Sequence, residues 1–200
     1  MTDVNGRTPL HTAVVSGNAA ITDLLCQEGA DKEARDGDER TPLHLAVVSG
    51  HKAIARLLVK HGSDTRAMDR VSRNTPLHLA VEMGDEAMVK MLVRDGADIE
   101  ANGANFGRKP LHLAVVIGAA GIVGLLLEEG ASTEARDSWS QATPLHEAAD
   151  SGSEVITRLL LARGADREAR DDQGRTPMDL AEENGHELIA GLLGGSIYLG

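Results

Sequence analysis

Residues 41–50 read Thr-Pro-Leu-His-Leu-Ala-Val-Val-Ser-Gly, and near copies return along the chain. Thr8-Pro9-Leu10-His11, Thr75-Pro76-Leu77-His78, Lys109-Pro110-Leu111-His112, Thr143-Pro144-Leu145-His146 and Thr176-Pro177-Met178-Asp179 share its opening. Successive prolines stand 33, 34, 34, 34 and 33 residues apart, and all six prolines of the chain occupy this place. Proline is a positional device here, and a fixed period of this size signals a repeat architecture.

Each copy predicts two short helices. Thr before Pro offers an oxygen to the first turn, and Pro at the first helical position loses only an N–H that had no partner. Glycines 17, 50, 84, 118, 152 and 185 follow about two turns later, where a helix ends most easily on a residue of positive φ. A second apolar pattern at i, i+3, i+4 then appears: Ile21/Leu24/Leu25, Ile54/Leu57/Leu58, Met88/Met91/Leu92, Ile122/Leu125/Leu126, Ile156/Leu159/Leu160 and Ile189/Leu192/Leu193. It predicts a second helix that buries one face. Glycines 29, 62, 96, 130 and 164 close the first five, and a polar stretch such as residues 30–39 reads as an extended hairpin to the next Thr-Pro.

The Thr-Pro-Leu-His openings, the paired glycines and the hairpin after Gly-Ala-Asp resemble ankyrin repeats over nearly the whole chain. The resemblance implies an all-α solenoid of six helix-turn-helix repeats joined by β-hairpin fingers. It sets the repeats near 3–35, 36–69, 70–103, 104–137, 138–170 and 171–200, in a single domain over 1–200. Fingers and first helices would form a concave surface and second helices the back. One unit cannot bury its own apolar face, so about three or more must stack.

The net charge of −11 argues against nucleic acid, whose phosphates demand clustered Lys and Arg. The lone cysteine, Cys26, cannot form an internal disulfide, which fits a cytoplasmic or nuclear setting. It takes the slot of Val59, Val93, Leu127 and Leu161, so a core role is expected. The longest apolar run, Leu113 to Leu127, contains three glycines and is shorter than the roughly 20 residues of a membrane helix. No basic-then-apolar leader opens the sequence, and no membrane association is expected.

Three patterns imitate chemistry. Histidines 11, 44, 78, 112 and 146 recur in register, but stacked helices lie about 8–10 Å apart and one zinc needs its nitrogens within about 2.1 Å. The resemblance gives them a structural hydrogen bond within the Thr-Pro-Leu-His turn instead. Gly103 to Lys109 is misspaced for a phosphate loop, with Pro110 where Ser or Thr must hold magnesium. Asp36-Gly37-Asp38 opens like a calcium loop, but Arg40 stands at the third ligand place. No nucleophile has a plausible base, so neither an enzyme nor a cofactor or metal is expected.

What stacking does not need is more informative. Phe106, Trp139 and Tyr198 are the only aromatics, none on a core stripe. Phe106 and Trp139 lie in hairpins, and the 34-residue steps add one residue to the segments around 69–74, 103–107 and 138–142. Residues just before each first-helix glycine should face the concave side. The candidate contact residues are Val48, Glu82, Met83, Phe106, Val116, Ile117, Trp139 and Asp150, an apolar centre inside an acidic rim of the kind that binds protein. The expected function is a non-catalytic, monomeric protein-binding module whose partner offers apolar and basic groups. The alternative is a structural spacer or a regulatory segment of a larger multidomain enzyme or receptor. Gly121 and Gly124 should soften the second helix of the fourth repeat, whose outward face is expected at Ala119, Ala120 and Val123.

Overall fold

A computed structural model describes residues 2–70, 72–103 and 107–195. The chain falls into two compact units, Met1–Asn105 and Phe106–Gly200. The first holds α1 (Pro9–Val15), α2 (Ala19–Gln27), α3 (Pro42–Val48), α4 (Lys52–Lys60), α5 (Pro76–Glu82) and α6 (Glu86–Arg94). The second holds α7 (Pro110–Val116), α8 (Ala120–Glu128), α9 (Pro144–Asp150), α10 (Glu154–Ala162), α11 (Pro177–Glu183) and α12 (Glu187–Leu193). Within each unit the odd-numbered helices stack in one layer, the even-numbered helices in a second, and each odd helix packs on the even helix that follows it.

The repeat explains the helix ends. Before α3, Thr41 is extended, its side chain accepts from His44 N, and Pro42 opens the helix. After it, Gly50 takes φ +69°, and its N–H reaches back to the Val47 carbonyl. Helices this short do not persist alone in water, so packing must hold them. Leu43, Leu77, Leu111 and Leu145 on the first helices and Leu58, Leu92, Leu126 and Leu160 on the second are buried almost completely. Each contributes about 1.5–3 kcal/mol of hydrophobic stabilisation. Ala46, Ala80, Ala114 and Ala148 are equally buried, and their small side chains let neighbouring helices approach closely.

Histidines 11, 44, 112 and 146 bridge the first turn of their repeat to the next finger. His44 Nε2 lies 3.2 Å from the Asn74 carbonyl, His112 Nε2 3.1 Å from that of Ala142 and His146 Nε2 3.0 Å from that of Arg175. A carbonyl can only accept, so Nε2 carries the proton and Nδ1 accepts. In His44 it accepts from the Thr41 N–H at 3.2 Å and the Thr41 hydroxyl at 2.8 Å. Burial lowers the pKa of His44, His112 and His146, which keeps them neutral in this role.

Three expectations are corrected. The described residues contain no β-strand, so the fingers are not β-hairpins. One backbone bond closes the finger between Asp36 N and Arg40 O, and the Asp36 carboxylate accepts from Asp38 N and Arg40 N. An aspartate thus does the work of a strand ladder, and the same arrangement recurs at Asp171 with Gln173 N and Arg175 N. The extra residue shows where Asp69 pairs with Asn74 and Asp137 with Ala142, one residue further on than in Asp36 and Arg40. Val123 is fully buried rather than outward, in register with buried Ala55 and Val89. Ile21 and Leu24 on α2 are about half exposed, whereas Ile54 is 2% exposed. The difference has a packing cause: α4 lies between α2 and α6, while α2 has a second helix on one side only. Cys26 is core as expected, and burial raises its pKa.

Candidate functional site

The residues just before the first-helix glycines do reach the surface. In the first unit Val48 is 36% and Met83 51% exposed, and Glu82 accepts from the Asn74 side chain at 2.8 Å. Burial raises the pKa of Glu82 against that hydrogen bond. In the second unit Val116 and Ile117 are exposed at the end of α7, Asp150 at the end of α9, and Trp139, 72% exposed, on the finger before α9. Phe106 and Tyr198 lie outside the described residues.

Val116, Trp139 and Asp150 come together around one cavity of about 570 Å³ in the second unit, while Ile117 is not on its wall. Val48, Glu82 and Met83 belong to the first unit. The cavity runs along the first-helix layer, from the finger that carries Trp139 to the finger that carries Gln173. Asp137 holds the Trp139 finger in shape by accepting from Trp139 N at 3.0 Å and Ser140 N at 2.8 Å. Arg175, on the opposite wall, is engaged by Asp171 at 2.9 Å and Glu183 at 3.4 Å. Asp150 accepts from the Asn184 side chain at 3.0 Å.

The central wall residue, Glu147, was not among the expected contacts. Its side chain is 9% exposed; Oε1 accepts from Arg108 Nε at 2.8 Å, and Oε2 is buried without a hydrogen-bond partner. Burial pushes its pKa up to about 7, Arg108 pulls it down, and Asp137 and Asp150 push it up further. The repeat carries the signal that would have revealed it. Leu45, Leu79 and Leu113 occupy this register in the second, third and fourth repeats and are buried, so a carboxylate here departs from what stacking requires. Arg108 and Gln173, also on the wall, come from the fingers and were not among the expected contacts.

Among the described residues no group of histidine, cysteine, aspartate or glutamate is arranged to hold a metal, and no helix is long and apolar enough to cross a membrane.

The family model for ankyrin repeats in three copies matches residues 1–69, 67–137 and 111–198. The crystal structure of the ankyrin repeat domain of Bcl-3, described as a unique member of the IkappaB protein family, superposes with a TM-score of 0.89 at 34% identity. The match covers 96% of this chain and 87% of that one. None of the curated proteins is significantly similar to the chain. Thr-Pro-capped helix pairs, histidine bridges and aspartate-closed fingers at one period, together with these matches, show that the chain belongs to the ankyrin repeat family.

Proposed function

We propose that the chain is a non-catalytic protein-binding module whose six repeats act as one domain. A monomer in the cytoplasm or nucleus, it takes a protein or peptide partner on the face formed by first helices and fingers. The observation that carries this reading is the exposure of large side chains that stacking does not use. Trp139, Met83, Val116 and Ile117 are each more than 40% exposed, and an acidic cavity opens beside Trp139 and Val116. Ankyrin repeats generally serve as protein-interaction modules, and the similarity to the Bcl-3 domain agrees with that role.

In this proposal Val48, Met83, Phe106, Val116, Ile117 and Trp139 supply apolar contacts, and Glu82 and Asp150 meet basic groups at the rim. Affinity then concentrates on the aromatic anchors, and charge steers encounter. Replacing Phe106 and Trp139 together by alanine weakens an isolated partner by about 2 kcal/mol or more and leaves the melting temperature nearly unchanged. Lost stability with intact binding would make these residues scaffold, and the spacer reading expects no binding to lose.

A further inference from the structure

Glu147 poses a chemical question that the repeat does not answer. Four other repeats bury leucine at its register, at 45, 79, 113 and 180, and replacing leucine with a buried carboxylate costs desolvation unless something repays it. Arg108 repays half: it holds Oε1, while Oε2 has no partner. The cavity beside it is lined by the carboxylates of Asp137, Glu147, Asp150 and Asp171 against the guanidinium groups of Arg108 and Arg175. Two of those acids are already occupied, Asp137 by its own finger and Asp171 by Arg175. Of the other two, Glu147 is paired with Arg108 through Oε1 and Asp150 accepts from the neutral Asn184 amide. Asp150 and the unpartnered Oε2 of Glu147 therefore give the cavity its negative character, and the exposed indole of Trp139 shares its wall.

We propose that this cavity is the receptor for one cationic side chain, a lysine or arginine of a peptide partner, with Glu147 and Asp150 as its counter-charges and the Trp139 ring alongside it. The inference rests on the binding-module reading and adds the chemistry of one partner residue to it. A volume of about 570 Å³ admits a long side chain. Glu147 lines the cavity with one oxygen on Arg108, so a donor entering it approaches a carboxyl group whose other oxygen has no partner. An aromatic face attracts a cation and packs against the methylenes behind it. Burial has already raised the Glu147 carboxyl toward neutrality, so an incoming cation also displaces its proton. An anionic group would meet Glu147 and Asp150 with like charge, and a purely apolar one would leave both carboxylates desolvated and unpaired.

Trp139 is the only tryptophan of the chain, so its fluorescence reports on this cavity. The full chain is titrated with the capped amides N-acetyl-lysine, N-acetyl-arginine, N-acetyl-leucine and N-acetyl-glutamate N-methylamide. One or both cationic probes should give a saturable change, and the leucine and glutamate probes none. Glu147→Gln and Asp150→Asn should each weaken the cationic probe about tenfold. Asp150 is exposed, so its variant keeps the test valid if Glu147→Gln loosens the fold. A leucine probe that binds as well as lysine, cation binding unchanged in Asp150→Asn, or no saturable response to either cationic probe would overturn the proposal. A cavity silent to both cations, with partner binding still lost in the Phe106 and Trp139 double variant, would remove the cation site and leave the module reading standing.

Discussion

At the ends of their first helices the two units present different chemistry on the same frame. The first unit offers Val15, Val48 and Met83 with a single carboxylate, Glu82, which Asn74 already engages. The second passes from Val116 and Ile117 to Asp150 and Glu183, and adds Glu147 and Trp139 around a cavity. First-helix lengths, the proline at their start, histidine bridges and aspartate finger closures recur in both units, so the stacking frame does not account for the difference. It lies at positions where the repeat tolerates change, and that separates scaffold from candidate site.

The largest effect tests the shared frame. His44→Ala and His146→Ala each remove a buried ring, take one of two donors from a carbonyl of the following finger and leave the threonine hydroxyl before the helix without its acceptor. Each should cost about 3 kcal/mol in chemical denaturation. A loss confined to one unit would break the equivalence drawn between them.

The next effect tests the difference. Glu147→Leu restores the residue found at 45, 79, 113 and 180. Because the Arg108 side chain keeps 28% exposure to water while the carboxylate is buried, the change should stabilise the chain by about 2 kcal/mol at pH 8, while abolishing any response to the lysine probe. Its pH dependence follows from the raised pKa of the carboxyl. The folded state keeps its proton up to about 7, whereas an ordinary glutamate releases it near 4.5. The stability from this group is therefore full below 4.5 and lost as pH rises through about 7. His44, His112 and His146 run oppositely: with folded pKa values below 6.5, their contribution is full above 6.5 and lost on acidification. Melting temperatures of the parent chain should fall between pH 5.5 and 8 relative to Glu147→Leu, within about the range over which this carboxyl titrates. Parallel curves for the two proteins would show that Glu147 is not the titrating group.

Two smaller effects sharpen the comparison of second helices. Thr157 is fully buried with its hydroxyl unpartnered, at the register where the first unit places Val89. Thr157→Val should add about 1 kcal/mol to unfolding stability; a loss would reveal a partner for the hydroxyl. Gly124 lies within α8, and a methyl group added there meets nothing within 4 Å. Gly124→Ala should add about 0.5–1 kcal/mol and slow amide exchange in α8 toward that of α6. Unchanged exchange would mean that glycine does not soften that helix.

Most of the fold was legible because Thr-Pro, the glycines and the apolar stripes each act locally and recur. The period alone could not show which neighbours cover which stripe. Ile21 and Ile54 carry the same pattern and differ by a packing partner, and Val123 is buried by contacts its own helix does not reveal. The fingers read as hairpins because their polar composition suits one, yet an aspartate carboxylate satisfies the turn that strands would otherwise hold. Of the site, Trp139, Val116 and Asp150 were legible from their place before a glycine or within a finger. Glu147 was not, since a search directed at residues outside the core passes over a charge inside it.

The histidine bridge also redraws the borders of the repeat. Counted from finger to finger, one unit runs from 36 to 69, and the bond from His44 to Asn74 crosses its end. Counted from threonine, the segment from Thr41 to Asn74 holds both ends of that bond: the ring in its first turn clasps its own last residue. Thr143 to Arg175 closes on itself in the same way. A duplication or exchange of repeats cut immediately before Thr-Pro would therefore transfer a clasped cassette, whereas one cut at the start of a finger would part each histidine from the carbonyl it holds.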